Sequence, residues 1–267
     1  MMTGVLINNL QLFQFENLAE SHDIFHFSTT RKGGVSSGRY SSFNLGFNSG
    51  DNPDEVKENR DILSDSLNIS ATKLIFPKQV HSANIKVLEE GFAQLPEEKR
   101  KEILKDTDAL ITNVKGLCVA IKTADCVPVL LYDRNKKIVA AIHAGWRGTA
   151  QSITSLTVKK MILEAGSDPS DILAGIGPSI SPAVYEVGKE VWDQFNHDFC
   201  HENGTGHNKK LLNLWKANFI QLTQSGIPEK NIELAELCTY SNPSLFFSAR
   251  RDGAKTGRMA TGIMLKA

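Results

Sequence analysis

A chain of 267 residues with 41% hydrophobic side chains has enough apolar material for one large packed domain or two small ones, which sets aside collagen-like, disordered and low-complexity classes. Its 30 basic and 30 acidic residues cancel, so the molecule as a whole has no field that gathers nucleic acid or an anionic membrane. Any phosphate recognition must then be local.

The first 15 residues lack a basic leader region and are interrupted by Asn8, Asn9, Gln11 and Gln14, so they read as a strand rather than a secretory signal. The longest apolar run, residues 117–131, is broken by Lys122, Asp125 and Pro128 and does not suit a membrane span. Four widely spaced cysteines without a C-x-x-C pair argue for a reducing, cytoplasmic setting and against a disulfide framework or zinc ribbon.

In chain order, alternation predicts a strand over 5–15, a polar turn, and a neighbouring strand at 24–29. The loop S-T-T-R-K-G-G-V-S follows, in which Arg31, Lys32 and the glycine amides can face an oxyanion or simply form a solvated turn. In S-S-F-N-L-G-F-N-S-G-D, Phe43, Leu45 and Phe47 pack one face inward, while Asn44 either satisfies the loop backbone or meets a ligand. Residues 54–67 read as a surface helix opened by Pro53.

His81 stands in the approach to a strand at 85–88, where a lone histidine reads as a hydrogen-bonded structural residue. A charged helix at 97–105 precedes strands at 108–112, 117–121, 127–132 and 138–143. The last two read as a hairpin turning near Asn135, which brings Cys126 and His143 to its open ends. A thiolate beside an imidazole makes either a metal site or a nucleophile with its base. G-W-R-G-T then leads into an amphipathic helix at 150–165, and this turn-to-helix junction suits an anion; Arg147 either holds it or pairs with a carboxylate.

Further on, a strand at 172–176 ends in the proline-stiffened G-P-S-I-S-P loop, followed by helices at 189–195 and 211–224 and strands at 232–237, 245–248 and 259–265. His197, His201 and His207 lie in a polar Gly/Asn-rich stretch without rigid support and read as solvent loop rather than metal site. Cys118, in an apolar strand, reads as core, and Cys238 marks a strand end. With no repeat, linker or composition break, residues 1–267 read as a single domain.

The set T-A-D-C-V-P, H-A-G-W-R-G-T, G-P-S-I-S-P-A-V-Y-E-V and F-F-S-A-R-R-D-G-A-K-T-G-R resembles the laccase-domain family. Its members were long labelled multicopper polyphenol oxidases and are now described as purine nucleoside phosphorylases with adenosine deaminase side activity. The resemblance runs from about residue 28 to 265. It implies an α+β fold with mixed sheets layered as α/β/β/α, and a zinc held by His81 of Q-V-H, Cys126 of T-A-D-C and His143 of H-A-G-W-R-G. Ser82 stands where the family usually has glycine.

Three N and S ligands leave zinc a fourth position, suited to generating hydroxide for attack on C6 of adenosine or to polarising a substrate oxygen in phosphorolysis. Phosphate must also be placed beside the ribose C1′, for which Arg31, Lys32 and Arg147 are the candidates, with Asn44 as a further substrate contact. Copper is the less favoured metal, because seven histidines without an H-x-H pair are a poor source for a trinuclear cluster. The expected enzyme is a zinc-dependent phosphorylase acting on adenosine, inosine or 5′-methylthioadenosine, with purine nucleosides and inorganic phosphate as its partners. Two rivals stand beside it: a cysteine hydrolase using Cys126 and His143 with Asp125 or Asp108 as orienter, and a nucleoside-binding module without turnover.

Overall fold

The computed structural model describes residues 2–202 and 209–267, so His207 of the histidine-rich stretch lies outside the described residues. Two six-stranded mixed sheets form its centre. In the first, the C-terminal strand Met259–Leu265 is inserted between Ile24–Thr29 and Cys118–Thr123, antiparallel to both. In the second, Val127–Asp133 and Ile138–Ala144 form the central hairpin, flanked by Ile172–Ile176 and Ala109–Thr112.

Every residue of the two hairpin strands is buried, because both faces of this sheet are covered. Val127, Val129 and Leu131 point one way, into a cluster with Ile153, Val158 and Met161 of helix Ile153–Ala165 and Leu222 of helix Leu214–Gln224. Leu130 and Tyr132 point the other way and meet Val119, Ile121 and Ile263 of the first sheet. The far face of that sheet, with Ala120, Ala260 and Met264, is closed by Phe43, Leu45 and by Leu63 of helix Pro53–Ser66. The layering is therefore helix, sheet, sheet, helix. Each large aliphatic side chain placed in these layers contributes about 1.5–3 kcal/mol of transfer free energy.

Several elements differ from the sequence expectation, for local reasons. The strand expected over 5–15 is a hairpin of Met2–Ile7 and Leu10–Phe15, turned by Asn8 and Asn9 at φ 46° and 69°. Asparagine tolerates that left-handed backbone, and pairing Ile7 with Leu10 shifts the alternation by one residue across the turn, a shift that a single strand read over 5–15 overlooks. The helix expected over 150–165 is broken by Ser152 at φ 62° into Trp146–Ala150 and Ile153–Ala165. Residues 209–212 are a strand, and Asn213 caps the following helix by accepting from the Lys216 N–H. No strand forms over 245–248. Phe246 and Phe247 are instead buried in an irregular segment that ends where Ser248 caps the short helix Ala249–Asp252.

The hairpin turn falls where expected. The Asp133 carboxylate accepts from the N–H groups of Asn135 and Lys136, both at 2.9 Å, and Val127 faces Ala144 at the open end. That pairing puts Pro128 opposite His143, two positions along the strand from Cys126.

Candidate metal centre

Cys126 follows Asp125, whose φ of 93° lies in the left-handed region that an aspartate enters only when held there. Its carboxylate accepts from the Thr239 hydroxyl and the Arg250 N–H, both at 2.6 Å, and its carbonyl accepts from the Ile180 N–H at 3.0 Å. Three distant segments thus fix the turn that presents the thiol. Because both Asp125 oxygens are engaged there, Asp125 is not the partner of His143.

That partner is Asp108. Its Oδ1 accepts from His143 Nδ1–H at 2.7 Å and from the His81 N–H at 3.0 Å, while Oδ2 accepts from the N–H groups of Val80 and Ser82 and from the Ser82 hydroxyl. One buried carboxylate therefore orients one imidazole and shapes the loop carrying the other. His81 adopts φ 63°, and Ser82 in the family's usual glycine position uses its hydroxyl to reinforce this loop.

The ligand atoms of His81, Cys126 and His143 all lie within 4.8 Å of one another, with His81 exposed and His143 buried. The two imidazole rings meet edge to face at 4.7 Å. Gly145, the glycine of H-A-G-W-R-G, keeps the space open: a Cβ there would lie 3.0 Å from His81 Cδ2 and 3.1 Å from Cys126 Sγ. Two imidazoles and a thiolate suit a borderline-soft divalent ion, and the Asp108–His143 contact is the carboxylate–histidine arrangement that accompanies metal-binding histidines. The residues present fit a metal. Among the described residues this is the one group of three His, Cys or acidic side chains brought together in this way.

Burial pushes the Cys126 thiol up, but the imidazoles of His143 and His81 outweigh it and bring its pKa down to about 6. Burial pulls His143 down, yet the Cys126 thiolate and Asp108 raise it to about 9. Each charge favours the other, and a metal taking both groups as ligands competes with protons for them.

The group lies in the wall of a cleft of about 1150 Å³, which Tyr185, Arg250, Lys122 and Arg258 also line. Tyr185 keeps its proton: burial, then the nearby Cys126 and Asp125 charges, push its phenol up. The other basic residues expected from sequence sit elsewhere. Arg31 donates to the carbonyls of Ser41 and Pro243 and packs over Phe247, Lys32 is exposed, and Arg147 is exposed against the Trp146 ring. None of the three lines this cleft. Asn44 is fully buried and organises its loop: its amide donates to Ser49 and Asp51 and accepts from the N–H groups of Gly46 and Arg258. It acts behind the cleft wall.

Residues that sequence reasoning passed over are Arg60, Lys122, Arg250 and Arg258. Lys122 directly precedes T-A-D-C, and Arg250 and Arg258 stand within the terminal motif. For these three the signal was adjacency to recognised motifs, whereas Arg60 had none.

Comparison with known proteins agrees with the geometry. The family described as multi-copper polyphenol oxidoreductase laccase matches residues 25–266. A protein from Bacteroides thetaiotaomicron named purine nucleoside phosphorylase is 41% identical over 262 residues, covering 96% of both chains. Adenosine deaminase RL5, from an unknown prokaryotic organism, is 38% identical, covering 90% of this chain and 93% of its own length. Among solved structures, YlmD of Geobacillus stearothermophilus superposes with a TM-score of 0.86 at 31% identity, covering 97% of this chain and 96% of its own. The sequence match takes in the second sheet, all of the first but its N-terminal hairpin, and all three converging side chains, and the chain belongs to the multi-copper polyphenol oxidoreductase laccase family.

Proposed function

We propose that this chain is a zinc-dependent purine nucleoside phosphorylase that cleaves adenosine, inosine or 5′-methylthioadenosine with inorganic phosphate, with adenosine deamination as a companion activity. The observation that carries the reading is the convergence of His81, Cys126 and His143 in a cleft large enough for a nucleoside and phosphate together. The relatives named purine nucleoside phosphorylase and adenosine deaminase supply the reaction class.

His81, Cys126 and His143 would hold the zinc, which when bound supplies a Lewis acid and an acidified water. Asp108 fixes the Nδ1–H tautomer of His143, so that Nε2 is the atom free for the centre. It also pins the His81 loop, and Tyr185 brings a protonated hydroxyl to the same cleft. Copper suits this set less well, since multicopper oxidation needs a trinuclear cluster besides a single His₂Cys site. A cytoplasmic location fits the four unpaired cysteines, and no helix among the described residues is long and apolar enough to cross a membrane.

The test is incubation with adenosine, with and without phosphate, followed by product identification. Adenine and ribose 1-phosphate appearing only with phosphate support phosphorolysis, inosine supports deamination, and the absence of both removes the assignment. The Cys126–His143–Asp108 row is also what a thiolate nucleophile would use. Metal content separates the two: an active, metal-free protein inactivated by alkylation of Cys126 is a hydrolase.

A further inference from the structure

Arg60, Lys122 and Arg258 line the same cleft as the metal-centre residues, and none of them forms an ion pair with a carboxylate among the described residues. Neutral groups anchor each one. Lys122 Nζ donates to the Pro77 carbonyl at 3.0 Å and lies 5.1 Å from the centre of the Phe76 ring. The Arg60 guanidinium is held between Phe47 and Phe76, at 4.3 and 4.5 Å, with Nε and Nη2 both donating to the Leu45 carbonyl. Arg258 donates to the carbonyls of Ala254, Thr256 and Gly257, and its stem lies against Gly46.

These contacts fix three positive groups in place without neutralising them. Burial, then Arg60 and Arg258, hold the Lys122 ammonium well below its ordinary range, with Asp108 offsetting part of this, so a bound anion beside it would restore its charge. Of the carboxylates lining the same cleft, Asp125 is turned to Thr239 and the Arg250 N–H, Glu98 faces Lys101, and Glu102 makes no ion pair with Arg60, Lys122 or Arg258. Asp108 acts on Lys122, and Cys126 and Asp125 on Arg258, only through space, so the partly buried like charges still favour a directly bonded anion from outside the chain. Lys122 retains two N–H groups beyond the one engaged by Pro77, and Arg60 retains Nη1.

We propose that Arg60, Lys122 and Arg258 form the subsite for inorganic phosphate, in place of the Arg31–Lys32 loop or Arg147. The inference rests on the phosphorolysis reading. In that reaction an oxygen of the HPO₄ dianion bonds to C1′ as the bond from C1′ to the purine nitrogen breaks. The electron pair of that bond passes to the base and the phosphate proton ends on it, giving the free base and ribose 1-phosphate dianion. The three cations hold the dianion at the attacking end by charge-assisted hydrogen bonds.

The test uses Lys122→Met, which keeps the side chain's length and removes its charge, with Lys122→Arg as the charge-restoring variant. In steady-state phosphorolysis of inosine by the zinc-loaded protein, Lys122→Met raises the KM for phosphate about 10- to 100-fold, the loss of a charged hydrogen bond. The KM for inosine stays within about twofold, and Lys122→Arg recovers most of the phosphate KM. In parallel, phosphate without nucleoside raises the melting temperature of the zinc-loaded wild type, and this stabilisation is lost in Lys122→Met. An unchanged phosphate KM and unchanged stabilisation overturn the subsite while phosphorolysis stands. Equal increases in both KM values also overturn it, as a general disturbance of the cleft. A wild type that does not phosphorolyse but is stabilised by phosphate in a Lys122-dependent way keeps the anion site and overturns the reaction.

Discussion

Replacing Asp108 by asparagine keeps the shape of the side chain but turns one of its two acceptor oxygens into a donor. Whichever way the amide is turned, its NH₂ faces N–H groups: His143 Nδ1–H and the His81 N–H on one side, those of Val80 and Ser82 on the other. The Ser82 hydroxyl can rotate to accept, but backbone N–H groups cannot. A buried donor left without an acceptor costs about 1–3 kcal/mol, so two of them should lower the stability of the metal-free protein by about 2–6 kcal/mol. If the neutral imidazole needed for metal binding instead carries its proton on Nε2, accepting from the amide at Nδ1, the nitrogen facing the centre is blocked. Zinc affinity should fall about 10- to 100-fold in either case. Urea unfolding of the metal-free protein reads the first quantity, and chelator competition reads the second. Stability within about 0.5 kcal/mol of wild type together with unchanged zinc affinity would refute the claim that this carboxylate builds the centre.

Gly145→Ala places a methyl against His81 and Cys126, so zinc affinity should fall about tenfold by chelator competition while metal-free stability holds within about 1 kcal/mol. Gly175→Ala drives a Cβ to 2.5 Å from the Phe15 ring, far from ordinary contact; urea unfolding should show a loss of about 1–3 kcal/mol, with zinc affinity unaltered. Burial lowers His26 from 6.5 to about 4, and its Nε2 accepts from the Phe15 N–H, a bond that protonation breaks. Between these two values the unfolded chain binds the extra proton, so stability is lost as pH falls from about 6.5 toward 4, by up to about 3 kcal/mol. A melting-temperature series from pH 7 to pH 5 should therefore decline more steeply for wild type than for His26→Gln, and parallel curves would contradict it.

The pairing of Cys126 with His143 was legible because both belong to one hairpin, whose turn is announced by the polar run after Asp133 and whose register follows from strand length. His81 was legible only through resemblance. It reaches the site by a left-handed turn held by a carboxylate 27 residues away, and no local pattern encodes that. Arg60 illustrates the opposite failure. Among the charges of a surface helix it looks solvated, but its stem carries the guanidinium between two phenyl rings, which only tertiary structure supplies. Lys122 looked like an interruption of an apolar run, yet it is the point at which a buried strand turns a cation into the cleft. For the basic Gly loop the sequence left an oxyanion site and a plain turn both open; Arg31 follows a strand end and spends its guanidinium on the Ser41 and Pro243 carbonyls.

The most direct measurement of the account's central claim is the metal content of the purified chain beside His81→Ala, Cys126→Ser and His143→Ala, all shown to be folded by circular dichroism. The account predicts a single zinc per wild-type chain and its loss from each variant, with nucleoside turnover lost in parallel. A wild type that is fully active without metal, or a Cys126→Ser chain that retains its zinc at wild-type affinity, would contradict it.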